Sequence, residues 1–171
     1  MSAGSISIVL GDITTLPAEA IVNAANTSLL GGGGVCGAIH LAAGFALEEE
    51  CLKLGGCPTG EARLTRGYDL PAKYVIHAVG PKYWDGSRNE AAQLRKCYQA
   101  IFRIAKEHQI SSVAIPAIGT GIYRFPLQDA TTIAVDEANA VIQTEDMAVT
   151  FCCFDKETLD AYNTTIKRTL R

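Results

Sequence analysis

The chain reads as a three-layer α/β/α domain built on a central mixed, mostly parallel sheet, and three observations predict it. Short apolar runs alternate with longer stretches of helical periodicity, as parallel strands joined by crossover helices do. Glycine-rich segments stand directly after two of the apolar runs, at Gly31–Gly34 and Gly119–Gly121. With 171 residues and 48% hydrophobic content the chain can fill one core and not two, so residues 1–171 are read as a single domain.

Ser5–Leu10 alternates and then turns wholly apolar, as a strand entering a core would. It ends at Gly11-Asp12-Ile13-Thr14, where Asp12 suits a turn or helix cap and could also accept a hydrogen bond from a ligand amine. Ala20–Val22 is the next strand and delivers Asn23-Ala24-Ala25-Asn26. After the glycines an Ala/Ile-rich helix starts at about Cys36 and continues through Ala43-Gly44 and Phe45–Leu54, with Glu48, Glu49 and Glu50 on its solvated face. Gly55–Gly60 ends it.

Glu61–Thr65 and Lys73–Val79 read as strands, the second more apolar and central, with His77 a buried, hydrogen-bonded imidazole. Gly80–Gly86 is a surface turn carrying Tyr83 and Trp84. Leu94, Cys97, Tyr98, Ile101 and Ala105 fall at helical spacing within Asn89–Glu107, placing His108 at a helix C-terminus. Ser112–Pro116 is a short buried strand opening into Ala117–Tyr123, and Leu127, Ala130, Ala134, Ala138 and Val141 mark the helix that follows. Ala148–Phe154 is the last strand. Leu159, Tyr162, Ile166 and Leu170 line a closing helix capped by Asp155.

Four consecutive glycines bury no side chain and cost backbone entropy, so packing does not explain them. An isolated glycine run is as readily a flexible connector. Between an apolar strand and a helix, however, bare amides and the helix dipole make an anion site suited to a phosphate or diphosphate. In such sheets ligands collect beyond the carboxyl ends of the strands, so Asp12, Asn23–Val35, Gly119–Tyr123 and Phe154 are expected on one rim. The spacing Gly32-x-Gly34-x-x-Gly37 lacks the acidic residue a dinucleotide fold would place about 20 positions on, and no Lys-Ser or Lys-Thr follows, excluding a Walker loop.

A formal net charge of −3 argues against nonspecific nucleic-acid or membrane binding. No signal-peptide pattern and no bilayer-spanning apolar run is seen, so a soluble, cytoplasmic protein is expected. Its six cysteines read as reduced thiols, with no Cys-x-x-Cys pair and with Cys152 and Cys153 on opposite faces of a strand. Neither a metal nor a cofactor is expected.

Taken together, Gly11-Asp12-Ile13-Thr14, Asn23-Ala24-Ala25-Asn26, Gly31 to Gly34 with Val35-x-Gly37-Ala38-Ile39-His40, His77-x-Val79-Gly80-Pro81 and Pro116-x-Ile118-x-Thr120-Gly121-Ile122-Tyr123 resemble the macrodomain family. They are most similar to the bacterial class that deacetylates O-acetyl-ADP-ribose and removes ADP-ribose from acidic side chains. The resemblance spans nearly the whole chain in order and implies a macrodomain fold whose partners are ADP-ribose, its esters and mono-ADP-ribosylated proteins. It implies that Asp12 accepts from the adenine amino group, that the Ile13 amide meets the ring, and that Phe154 stacks on it. Asn23, Ala25, Gly33, Gly34, Val35 and Cys36, with Ala117, Gly119, Thr120, Gly121, Ile122 and Tyr123, would surround the diphosphate and distal ribose. Asn26 would bond the distal ribose hydroxyls, and Tyr123 would close over that sugar.

In the hydrolytic class the position between Val35 and Gly37 is usually aspartate, which serves the attacking water; here it is Cys36. A neutral thiol is a poor base, so Cys36 can replace the carboxylate only as thiolate. The helix N-terminus and His40, one turn on, favour that form, whereas a bound diphosphate opposes it. Cys36 is therefore read as a small space-filler rather than a nucleophile, although Asn26 and Cys36 remain the catalytic candidates. The expected function is an ADP-ribose ester hydrolase slowed by the missing aspartate. The alternatives are a non-catalytic ADP-ribose reader and, last, a Cys36–His40 hydrolase.

Overall fold

The computed structural model describes residues 4–169. Strands β1 (Ser5–Leu10), β2 (Ala20–Ala24), β3 (Ala62–Arg66), β4 (Tyr74–Ala78), β5 (Ser112–Ile115) and β6 (Ala148–Cys153) form one sheet in the order β1-β6-β5-β2-β4-β3. Every pairing is parallel except the antiparallel one of β3 with β4. Helices α1 (Gly34–Ala43), α2 (Phe45–Leu54), α3 (Glu90–Glu107), α4 (Leu127–Ile142) and α5 (Lys156–Thr169) cover it. Leu170, assigned above to the closing helix, lies outside the described residues.

The layers follow from the two-residue period of the strands. On one face Ala20 and Val22 join Leu94, Ile101, Ala134 and Tyr162 from α3, α4 and α5. On the other, Ile21 joins Ile39 of α1 and Leu47 of α2. Cys152 and Cys153 divide between these two cores, as their adjacency on a strand requires. Burying both faces is what makes the strands continuous apolar runs. Among the described residues no helix is long and apolar enough to cross a membrane.

The expected single helix across Ala43-Gly44 is corrected to two. Gly44 has φ +91°, a region closed to most side chains, and its amide donates to the His40 carbonyl as α1 ends. The chain turns there and α2 starts at Phe45. The first of these helices begins at Gly34 rather than Cys36, so the last glycine of the run supplies its first turn. Phe154, expected to close the last strand, follows β6 and is 82% exposed.

This topology opens a crevice. β2 and β5 are neighbours, yet β2 leads to α1 on one face and β5 leads to α4 on the other. Connections that diverge in this way part at the carboxyl ends of the strands. The two glycine segments flank that point, and the turns after β1, β4 and β6 share its rim.

The turn after β4 is held by a buried carboxylate. Glu90 Oε2 accepts from the amides of Trp84 (2.9 Å), Asp85 (3.2 Å) and Gly86 (3.0 Å), and Oε1 accepts from that of Arg88 (2.6 Å). Burial pushes this carboxyl up, but hydrogen bonds from the Trp84, Gly86, Arg88 and Glu90 amides outweigh it and hold the pKa at about 2. Because the unfolded value of 4.5 is higher, the stabilisation is complete above pH 4.5 and drains away as pH falls toward 2. Glu90→Gln must turn an amino group toward some of these donors, so at pH 7 it should melt a few degrees below wild type. The gap should shrink in scans taken at successively lower pH between those two values. A gap independent of pH would show that the carboxylate charge is not what organises the turn.

Candidate functional site

Each part of the rim is placed by the strand that precedes it. β1 delivers Asp12, whose Oδ1 accepts from the Thr14 amide at 2.9 Å and the Thr14 hydroxyl at 2.7 Å. These bonds lower its pKa and keep it ionised, while the second carboxylate oxygen remains available to a ligand. The predicted cap and the predicted acceptor are thus the same residue in one geometry. Ile13 starts a 3₁₀ turn with its side chain buried, so only its backbone is offered to the rim. Register pairs Leu10 with Cys153, which sets Phe154 beside the Asp12 turn.

β2 delivers Ala25 and Asn26. The Ala25 amide is bonded to the Ala78 carbonyl across the sheet. Asn26 Nδ2 donates to the Leu30 carbonyl at 3.1 Å and Oδ1 accepts from the Ser28 amide at 3.0 Å, so its carboxamide shapes the turn leading into the glycines. Those glycines end in a helix that no side chain caps: Gly33 occupies the cap position, and Gly34 has φ +59°. The first-turn amides of α1, at the carboxyl end of β2, therefore have no intrahelical partner and are available to an anion. Gly37 completes the arrangement, since a Cβ there would lie 2.3 Å from the Gly32 carbonyl oxygen. Only a residue without a side chain lets the loop rest on α1.

The second loop is built similarly. Gly119 has φ +81°, the Thr120 hydroxyl donates to the Ala117 carbonyl at 2.9 Å, and the Phe125 amide donates to the Gly119 carbonyl at 2.8 Å. These bonds close a tight turn that leaves Gly121 open and Ile122 88% exposed. Tyr123 lines a cleft of about 470 Å³ together with Asn26, Gly80, Pro81, Trp84 and Arg88. Asn26 and Tyr123, assigned from the sequence to one sugar, are thereby brought together.

Asn23 is corrected. Grouped above with the ligand contacts, its side chain is fully buried beneath the rim. The register opposes Asn23 to His77, and Asn23 Nδ2 donates to His77 Nδ1 at 3.0 Å and approaches Cys36 Sγ at 3.7 Å. His77 Nε2 lies 2.8 Å from the Thr65 hydroxyl, so both ring nitrogens are engaged, as expected of a core imidazole. Burial, with His40 adding to it, lowers the His77 pKa to about 3, and the ring is neutral.

Cys36 is buried, and its thiol donates to the Leu30 carbonyl at 3.6 Å. His40 does not serve it. That ring faces His77, with centroids 6.2 Å apart, and its own two nitrogens are buried without partners. Desolvation lowers the His40 pKa, so it offers Cys36 no imidazolium. Among the described residues His40, Cys51 and His77 bring one potential metal-ligand atom each within 4.8 Å of one another. Their chemistry opposes a cation: both His77 nitrogens are bonded, and burial, with Glu50 next in effect, pushes the Cys51 thiol up to about 11.

The turn after β4 is more than the surface turn that the sequence predicts. It lines the cleft through Lys82, Trp84 and Arg88. Its signal in the sequence was its place after a central parallel strand, which put it on the same rim as the glycine loops.

Comparison with known proteins agrees with this geometry. The family model described as Macro domain matches residues 22–134. A Macro domain-containing protein of Mesorhizobium japonicum is 52% identical over 159 residues, covering 92% of this chain and 90% of its own. A protein of Enterobacter cloacae named O-acetyl-ADP-ribose deacetylase is 49% identical over 163 residues, covering 92% and 91%. A mutant of the Oceanobacillus iheyensis macrodomain with ADPR superposes with a TM-score of 0.92 at 36% identity, over 95% of this chain and 92% of that one. The Trypanosoma brucei macrodomain in complex with ADP-ribose gives 0.88 at 42% identity, over 94% and 68%.

Proposed function

The chain belongs to the Macro domain family, and on that premise we propose that it binds ADP-ribose and hydrolyses ADP-ribose esters. The observation that carries the reading is the uncapped, glycine-started helix α1 after β2, with a second glycine loop after the neighbouring strand β5, both at the carboxyl ends of the sheet. Main-chain amides there supply the charge complement for a diphosphate, so an acidic protein can hold an anionic dinucleotide without a basic surface. Asp12 and Phe154 stand on the β1 and β6 side for the adenine, and Asn26 and Tyr123 stand at the other end for the distal ribose. Residues 1–171 act as one domain in this reading, and its six buried thiols suit the reducing cytoplasm.

Catalysis would rest on positioning. Asn26 and the glycine loops hold the ester, and the substrate's own phosphate oxygens orient the attacking water in place of the absent carboxylate. Relatives named O-acetyl-ADP-ribose deacetylase support this chemistry with O-acetyl-ADP-ribose as the ester; ADP-ribosylated carboxylates, which carry the same kind of ester bond, are the second substrate we propose. A specific observation favours a second reading, a reader module: the Cys36 thiol is bonded to the Leu30 carbonyl rather than free to serve a water.

Calorimetric titration with ADP-ribose, run beside an assay of acetate release from O-acetyl-ADP-ribose, separates these. The expected result is saturable heat and slow release. Heat without product selects the reader, and no heat removes both readings.

A further inference from the structure

The cleft at Asn26 and Tyr123 does not end with them. It continues along the turn after β4, past Gly80 and Pro81 to Lys82, Trp84 and Arg88. This stretch is unusually well constructed for a surface turn. The Glu90 carboxylate is buried to accept four of its amides. Asn89 has φ +60°, and a Cβ at Gly86, φ +87°, would lie 2.9 Å from the Tyr83 hydroxyl. The Tyr83 amide donates to the Tyr123 carbonyl at 2.8 Å, tying the turn to the second glycine loop. Strain and a buried charge have been spent on fixing a segment whose most prominent side chain, Trp84, is 64% exposed.

What the turn displays is cationic. Arg88 sits over the Trp84 ring at 4.7 Å, and Lys82 lies 5.7 Å from the Tyr123 ring. Among the described residues neither forms an ion pair, although several other basic side chains do. Asp85 accepts from the Ser87 amide and hydroxyl and does not line the cleft; Glu90 does line it, but its carboxylate is turned to four main-chain amides, which offset its charge there. In a chain of net charge −3, two unpaired cations held at one mouth of a cleft select an anion.

We propose that this extension is an acceptor subsite, in which Lys82 and Arg88 receive acidic residues flanking a mono-ADP-ribosylated carboxylate while Trp84 packs on the peptide. It deepens the ADP-ribose reading above and rests on it. The distal ribose end is where the acceptor departs from ADP-ribose, and the subsite begins beside the two residues assigned there. Two cations on an otherwise acidic molecule suit a short acidic peptide better than a nucleic-acid backbone, which takes a longer basic track.

The test uses three calorimetric titrants: free ADP-ribose, and a peptide carrying ADP-ribose through a hydrolysis-resistant amide, made with acidic or with neutral flanks. With wild-type protein the acidic-flanked peptide should bind three- to tenfold tighter than the neutral one, less so as salt rises. In Lys82→Ala/Arg88→Ala that ratio should fall to about one, with the loss of the two cations changing the affinities for free ADP-ribose and for both peptides by a common factor. A wild-type ratio of one, or a ratio that survives the double substitution, overturns the inference alone. An ADP-ribosylated oligonucleotide end that gains more from the two cations than the acidic peptide does also overturns it. Failure of free ADP-ribose to bind removes the ADP-ribose reading itself, and this inference with it.

Discussion

A Gly37→Ala protein should keep its thermal midpoint close to wild type and lose about a hundredfold in ADP-ribose affinity. The added Cβ would stand 2.3 Å from the Gly32 carbonyl oxygen and 3.3 Å from its carbon, and the contact is backbone, which no rotamer change relieves. Something has to move. α1 is anchored by Ile39 and Ala43 in the core, whereas Gly31 to Gly34 are exposed, so the loop moves. Stability changes little, because alanine is the better helix former by about 0.5–1 kcal/mol and offsets part of the lost loop contact.

Binding has no such offset. A displacement near 1 Å takes amides out of reach of a phosphate, and a hydrogen bond to a charged group contributes about 1.5–3 kcal/mol. Losing one or two amounts to ~3 kcal/mol, or about a hundredfold in Kd. Calorimetry on the variant beside a melting curve checks both halves. Unchanged affinity in a folded Gly37→Ala protein would mean that the loop amides are not the phosphate ligands.

The rim was legible in the sequence because backbone sites announce themselves by composition. Glycines after an apolar strand have few structural explanations, and strand alternation with helices places all such turns at one edge. The sites that depend on partners across the sheet were not legible. Asn23 looked like a rim residue because it follows apolar positions, and nothing local shows that the register opposes it to His77. His40 lies one helical turn from Cys36, yet it packs toward His77, because spacing along a helix fixes the face and not the partner. Gly44 interrupts a pattern whose hydrophobic period runs on through it, so only its φ reveals the break. Glu90 is the least legible of these residues. A glutamate opening a helix is ordinarily solvated and helps the dipole, and its burial becomes evident only when four amides are seen to converge on it.

Cys36→Asp should raise the rate of O-acetyl-ADP-ribose hydrolysis ten- to hundredfold. The thiol position lies at the first turn of α1, 3.7 Å from Asn23 Nδ2 and 3.6 Å from the Leu30 carbonyl. A carboxylate there can accept from Asn23 but is repelled by the carbonyl, so one oxygen is driven toward the crevice, where a water would stand. General-base assistance contributes about 10² to 10⁴ in rate, and a gain no greater than the bottom of that range is expected for a base grafted into a site that evolved around a thiol. The same charge opposes the diphosphate, so ADP-ribose affinity should fall a few-fold while kcat rises. That opposite movement is the diagnostic. Cys36→Ala separates the remaining role of the thiol: a space-filler predicts wild-type turnover, whereas a nucleophile predicts none. If Cys36→Asp and wild type hydrolyse the ester at the same rate, a base at this position is not what limits the reaction, and water orientation by the substrate phosphates is sufficient on its own.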